Sequence, residues 1–302
     1  MTTKTADEQF NALVMDIYEN GVWEQPEDIR AKWADGTPAA TKAVNDVQLK
    51  FENQDDNKAP ILTTKFVAWK TAIHEILWIW QQKSNEISYL QERGIHIWDS
   101  WAVRNPLGGF GGTIGKGYGF QLNEKCRSVF MPRPDSNSVW THSSVEMDQV
   151  DYMLHLLTTS PGSRRNIVTL WDKNDLDYMT ITPCVWSSQW IRKNGKLNLT
   201  VNVRSNDICV GNPFNVFQYY VLQRMVSQVT NIPMGTLVFN ITDAHIYDRH
   251  LETAVIQVQE PMFEPPVLEI DPSVKNFYDF RIEHFNLVNY QYSKKFSYEV
   301  AI

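Results

Sequence analysis

From Leu197 to Val203 apolar and polar residues alternate without a break, Leu-Asn-Leu-Thr-Val-Asn-Val. A period of two belongs to a half-buried strand, so Leu197, Leu199, Val201 and Val203 share one covered face and the chain must supply a core to cover it. The flanks narrow the possibilities. Pro183-Cys184 opens the apolar run before the strand, and Arg204-Ser205-Asn206-Asp207 leaves it. A loop with Gly211, Asn212 and Pro213 then leads into Phe214 to Thr230, where Phe217, Tyr220, Val221, Met225, Val226 and Val229 recur at helical spacing. Asn215 falls where that helix begins. A cysteine followed by clustered arginine, serine, aspartate and asparagine reads as a nucleophile beside a polar ligand cradle.

Bulk properties exclude several classes. The chain has 302 residues and no Pro/Gly/Ser-rich linker or charge block, so one domain over residues 1–302 is the simplest expectation. A net charge of -7 lacks the basic footprint of a general nucleic-acid binder. Cys126, Cys184 and Cys209 are odd in number and lack metal-type spacing. The opening MTTKTADEQF has no secretion-signal core, and no apolar run is long enough for a membrane span. Together these predict a cytoplasmic protein with reduced thiols.

In chain order, Asp7 to Asn20 carries a helical stripe, and Glu24 to Ala40 reads as a polar loop containing Arg30. A short strand is expected at Val47 to Phe51 and a helix at Trp69 to Gln82. Glu75 stands in that helix among Ala72, Ile73, Ile76 and Leu77, where a carboxylate needs a hydrogen bond or a wet cleft. Ile97, Trp98 and Trp101 form an aromatic-rich segment, and Gly108 to Gly112 is expected as a surface turn. Val145 to Thr159 has helical spacing, Arg164-Arg165 precede a strand from Ile167 to Trp171, and Leu237 to Ile241 is a strand delivering Asp243, His245 and Tyr247 at its end. The HxY spacing on an extended segment points both side chains the same way. Asp271 to Tyr278 reads as a turn and Ile282 to Leu287 as a strand, and the chain closes on apolar Val300-Ala301-Ile302. Strands mixed with long amphipathic helices make an α+β protein.

In this order, the blocks His74-Glu75-Ile76-Leu77-Trp78, Ile97-Trp98-Asp99-Ser100-Trp101, Tyr118-Gly119, Ser163-Arg164-Arg165, Pro183-Cys184, Arg204-Ser205-Asn206-Asp207, Gly211 to Asn215, Asp243 to Tyr247 and Val300-Ala301-Ile302 resemble the signature blocks of the thymidylate synthase family. The resemblance implies one large curved mixed β-sheet packed by helices, pairing through the sheet into a homodimer. It also implies dUMP as substrate, 5,10-methylenetetrahydrofolate as co-substrate, and no metal. Cys184 is then the nucleophile at C6 of uracil, in cationic surroundings from Arg204 that favour a thiolate. Glu75 is the acid/base acting through water, and Tyr118 assists removal of the C5 proton. Asn215 reads uracil, its amide matching O4 and N3–H, where an aspartate would suit cytosine as in the related deoxycytidylate hydroxymethylases. Asp207 binds the pterin and counts with the catalytic set. Arg204 and Ser205 hold the phosphate, and His245 and Tyr247 a sugar hydroxyl. Arg164 and Arg165 reach the partner subunit's phosphate site. Arg30 is either a phosphate contact from a mobile loop or a solvated charge. Ile97, Trp98, Trp101 and Ala301 face the folate, with the apolar terminus excluding water. No membrane or nucleic acid takes part in this reaction.

Three positions depart from the family pattern: Val185, Asn166 and Val203 stand where histidine, histidine and glutamine are frequent. They bear on water near the site, which decides whether a C5 methylene is reduced by hydride or captured by hydroxide. A dUMP hydroxymethylase making 5-hydroxymethyl-dUMP is therefore the alternative, and a catalytically silent nucleotide-binding homologue is a second.

Overall fold

The computed structural model of the chain describes residues 4–52, 57–102, 111–132 and 142–302. The helices are α1 (Ala6–Asn20), α2 (Trp69–Trp80), α3 (Ser88–Gln91), α4 (Asp99–Ala102), α5 (Gly119–Asn123), α6 (Gln149–Thr159), α7 (Gly211–Thr230) and α8 (Leu251–Val258). The strands are β1 (Val22–Trp23), β2 (Thr41–Phe51), β3 (Lys125–Pro132), β4 (His142–Asp148), β5 (Ile167–Thr169), β6 (Val185–Lys193), β7 (Lys196–Val203), β8 (Asn206–Asp207), β9 (Met234–Tyr247), β10 (Val267–Ile270) and β11 (Phe285–Val288). They gather into two compact units, residues 1–76 with 193–302, and residues 77–192.

The first unit is built on β9. β2 pairs with it antiparallel along ten residues from Thr41 opposite Tyr247 to Phe51 opposite Leu237, while β7 pairs with its other edge in parallel. β1 extends β2, and β8 continues beside β9 with Asp207 opposite His245. The sheet is therefore mixed, and helices pack on it, as the α+β expectation requires. The alternation in β7 is obeyed: Leu197, Leu199, Val201 and Val203 are all fully buried, and the intervening residues are half-exposed. α7 covers this face and is buried on nearly every side, which is why its sequence is apolar well beyond a single stripe. Asn231, in the left-handed conformation at φ 53°, ends it.

α1 begins with a capping box between Thr5 and Glu8 and buries Phe10, Leu13, Val14 and Ile17. Asp7, in its first turn, is also buried. Its carboxylate accepts from the backbone N–H and hydroxyl of both Thr63 and Thr64 at 2.7 to 3.0 Å, so the charge is satisfied where it is desolvated.

In the second unit, the β3–β4 hairpin leads into α6, and β5 pairs with β6 antiparallel. Trp80 and Trp190 meet edge to face at 6.0 Å in its core. Asp148 caps α6 by accepting the Asp151 N–H at 3.0 Å and binds Lys83 at 2.6 Å.

Several expected boundaries shift. Val145 to Asp148 was expected within a helix and is strand, because Asp148 is a strong N-cap and the hairpin pairing ahead of it claims those residues. Gly211 to Pro213 form the first turn of α7 rather than a loop, since proline is well placed at a helix start. Residues 282–284 form a 3₁₀ turn before β11, not a strand. β2 is longer than the expected Val47 to Phe51 because tertiary pairing with β9 recruits residues of weak strand pattern. β9 likewise continues through Tyr247, so Asp243, His245 and Tyr247 lie within the strand rather than beyond it. Most of the glycine-rich stretch at 108–112 lies outside the described residues.

Candidate active site

The expected site residues divide between the two units. In the second, Cys184 is half-buried immediately ahead of β6, and its backbone N–H donates to the Tyr118 hydroxyl at 3.3 Å. Tyr118 holds φ 45° and ψ −104°, a conformation costly for any side-chain-bearing residue. The residue after it explains why the backbone is forced there. A Cβ on Gly119 would lie 2.2 Å from the Ser84 carbonyl oxygen, so the two backbones touch at a point only glycine allows. Trp98 lies edge-on to Tyr118 at 5.4 Å and tilted against Trp78 at 5.8 Å. Trp98 and Trp101 are half-buried and Ile97 is exposed, forming an apolar surface next to the tyrosine. Arg164 and Arg165 are exposed in the turn before β5, which is fastened where the Gln189 amide donates to the Arg164 carbonyl.

In the first unit the amides form a continuous chain. Asn212 donates to Asn206 at 2.7 Å, Asn206 to Asn215 at 3.1 Å, Asn215 to Gln218 at 3.4 Å, and Gln218 to the Glu75 carboxylate at 2.6 Å. Asn215 therefore has its amide oriented from both sides, with Oδ1 accepting and Nδ2 donating. Glu75 is half-buried with a charge-assisted donor on one oxygen, which meets the requirement that a carboxylate in apolar company be hydrogen-bonded. Gln218 was not anticipated. It lies one helical turn past Asn215, polar and 3% exposed between the buried apolar neighbours Val216, Phe217, Tyr219 and Tyr220, and that local mismatch is the signal that could have found it.

Asp207 leaves β8 with Oδ1 accepting the N–H groups of Cys209 and Val210 at 2.8 and 3.1 Å. Arg204 and Ser205 are half-buried just after β7. His245 is buried with its Nδ1 2.6 Å from Asp243, and its ring meets that of Tyr247 edge to face at 5.4 Å, so the HxY pair does share one side of β9. Arg30 is exposed. Two residues on, Lys32 exchanges backbone hydrogen bonds with Ile302, both 2.8 Å, and Ala301 packs with Trp33, Ala39 and Tyr247. The apolar terminus is thus docked on the segment containing Arg30.

Lys65 is a further buried group that the sequence did not disclose. Its ammonium donates to the Cys209 carbonyl and sits 4.7 Å over the Tyr298 ring; burial pulls its pKa down to about 8, against the attraction of Cys209 and Asp207. Cys209 is fully buried, and that burial pushes its thiol well above the ordinary range.

The family model for thymidylate synthase matches residues 8–302. The chain belongs to the thymidylate synthase family. It is 49% identical over 297 residues to the thymidylate synthase of Bacillus subtilis subsp. natto, covering 98% of this chain and 99% of that one, and 48% identical over the same length to that of Bacillus phage phi3T. Among solved structures, the thermostable thymidylate synthase A from Bacillus subtilis superposes with a TM-score of 0.88 at 49% identity, covering 99% of this chain and 100% of that one. Membership in the thymidylate synthase family also carries the enzyme class: this is a folate-dependent one-carbon transferase. Among the described residues no helix is long and apolar enough to cross a membrane.

Proposed function

We propose that the chain converts dUMP and 5,10-methylenetetrahydrofolate into dTMP and dihydrofolate, with the residues above in the following roles. The Cys184 thiolate adds to C6 of the uracil ring, making C5 an enolate-like carbon that takes up the one-carbon unit. Tyr118, already bonded to the Cys184 backbone, helps remove the C5 proton. Glu75 relays protons through water. Departure of tetrahydrofolate leaves an exocyclic methylene at C5, hydride from the tetrahydrofolate ring reduces it, and the Cys184–C6 bond breaks to free the enzyme.

Asn215 pairs with O4 and N3–H of the base. Arg204 and Ser205 bind the phosphate, joined by Arg164 and Arg165 of the partner in a homodimer and by Arg30, while His245 and Tyr247 hold the sugar hydroxyl. Bidentate guanidinium groups suit a dianionic monoester. Asp207 takes the pterin, with Ile97, Trp98, Trp101 and Ala301 against the folate. Residues 1–302 act as one catalytic domain, in the cytoplasm.

The observation that carries this reading is the hydrogen-bonded chain from Asn215 through Gln218 to Glu75, which joins the base-reading amide to the proton relay. Reduction over hydroxylation is favoured by the intact apolar terminus Val300-Ala301-Ile302, docked by its Ile302–Lys32 backbone pairing, and by the 49% full-length identity to thymidylate synthases.

The decisive experiment supplies dUMP tritiated at C5 with methylenetetrahydrofolate and follows tritium release and dihydrofolate absorbance together. Equal yields are expected. Release without dihydrofolate would show the hydroxymethylase, and a signal no larger than that of Cys184→Ser would show a silent binding protein. Asn215→Asp is expected to move preference from dUMP toward dCMP in a competition assay, and unchanged selectivity would remove its role.

A further inference from the structure

Asp207, Cys209 and His250 come from separated stretches, the first two around β8 and the third from the 3₁₀ turn Asp248–His250 that follows β9. One carboxylate oxygen, the Cys209 sulfur and one imidazole nitrogen all lie within 4.8 Å of one another. In a tetrahedral zinc centre neighbouring donors stand roughly 3.5 Å apart, so side-chain adjustments of about 1 Å would close the set around an ion. His250 supplies an independent observation. It is 3% exposed, and the only hydrogen-bonding group engaging its imidazole among the described residues is the Glu299 main chain on one side, so the other ring nitrogen is left without a partner, a costly state for a buried polar group.

The surroundings suit a ligand set. The His250 ring is fixed by edge contacts with Trp33, Tyr247 and Tyr298 at 5.2, 5.8 and 5.1 Å, with the Glu299 main chain on one side of it. A backbone group on one side of an imidazole is the usual outer partner of a metal-bound histidine. Asp207 has Oδ1 committed to two backbone donors, which orients the carboxylate and leaves Oδ2 for an ion. Thiolate, imidazole and carboxylate in one set select zinc or cobalt over magnesium or calcium, and the two anions balance a divalent charge. The nearby Lys65 ammonium opposes a cation, but it is held by the Cys209 carbonyl and the Tyr298 ring.

We propose that Asp207, Cys209 and His250 bind one zinc-class ion per chain, as a site separate from Cys184 and with a fourth position open. Binding displaces the Cys209 proton to solvent and forms the sulfur–metal bond, with no redox change. The ion would occupy the Asp207 carboxylate and so antagonise folate; that consequence rests on the proposed function, whereas binding itself does not.

The test titrates the untagged, metal-free full chain with Co²⁺ alone, recording the near-ultraviolet sulfur-to-cobalt band and the visible absorption of tetrahedral cobalt, and then displaces cobalt with Zn²⁺. Wild type and Cys184→Ser are expected to show one equivalent of thiolate-bound cobalt. Cys209→Ala should lose the sulfur band, and His250→Gln should weaken binding at least tenfold. Thermal melting verifies that each variant is folded, and Cys209→Ala decides alone if His250→Gln does not fold. No band in wild type, a band retained in Cys209→Ala, or a band lost in Cys184→Ser would each overturn the proposal.

Discussion

Gln218 holds the Glu75 carboxylate at 2.6 Å and is itself bonded to Asn215, so a single neutral side chain sets the position of two groups with different tasks. A hydrogen bond to a charged group is worth about 1.5–3 kcal/mol, and roughly tenfold in rate accompanies each 1.4 kcal/mol. Gln218→Leu, close in volume, is therefore expected to lower kcat by roughly tenfold or more and to raise the KM for dUMP, because both Glu75 and Asn215, the relay and base-reading groups of the proposed mechanism, loosen. Tritium-release kinetics check it, and an unchanged kcat would show that Glu75 needs no orienting partner. Its place in the chain is visible as a glutamine between the apolar pairs Val216-Phe217 and Tyr219-Tyr220. Its role is not, because the partner comes from α2, 143 positions away in sequence.

At the scale of elements, Asp148 ends β4 and begins α6 with a carboxylate that is wholly inaccessible and faces Lys83 and Lys125 at 2.6 and 3.3 Å. Burial pushes its pKa up, but the Asp151 N–H, Lys83 and Lys125 together hold it below the ordinary 3.8. A lowered folded-state value means the carboxylate stabilises the fold above about pH 4 and loses that contribution as pH falls through the folded value. Asp148→Asn keeps the shape and removes the charge. It is expected to cost about 2–4 kcal/mol at pH 7, with the gap to wild type narrowing below pH 4, as read by chemical denaturation at several pH values. Equal loss at every pH would show that the charge is not what stabilises the fold here. The same residue explains the misplaced start of α6: helical spacing in Val145 to Asp148 is indistinguishable from a hairpin strand until β3 is seen to pair with it.

At the scale of the whole molecule, Arg164 and Arg165 are exposed on their own chain and, in the proposed homodimer, complete the partner's phosphate site. Hybrids test this directly. Mixing Cys184→Ser with the double variant Arg164→Ala/Arg165→Ala, each inactive alone, produces heterodimers in which one site has both an intact cysteine and intact arginines. Random exchange of subunits in a two-fold dimer should restore about a quarter of wild-type activity. No recovery, with exchange verified by mass, would place the arginines in their own subunit's site.

Periodicity and composition by themselves determined the half-buried β7, the amphipathic α1 and the buried character of α7, because side chains two or three to four apart must share a face whatever they pack against. The ordered motif blocks likewise determined the family, since the chemistry of a thiol, a carboxylate and an amide at those positions is written in residue identity. Only the tertiary structure decided the Asn206–Asn215–Gln218–Glu75 chain, the burial of Lys65 with Cys209, and the docking of Ile302 on Lys32. Each depends on groups far apart in sequence reaching hydrogen-bonding distance, and desolvation at that meeting point, absent from any local pattern, is what turns an ordinary lysine, glutamine or histidine into one whose partners matter.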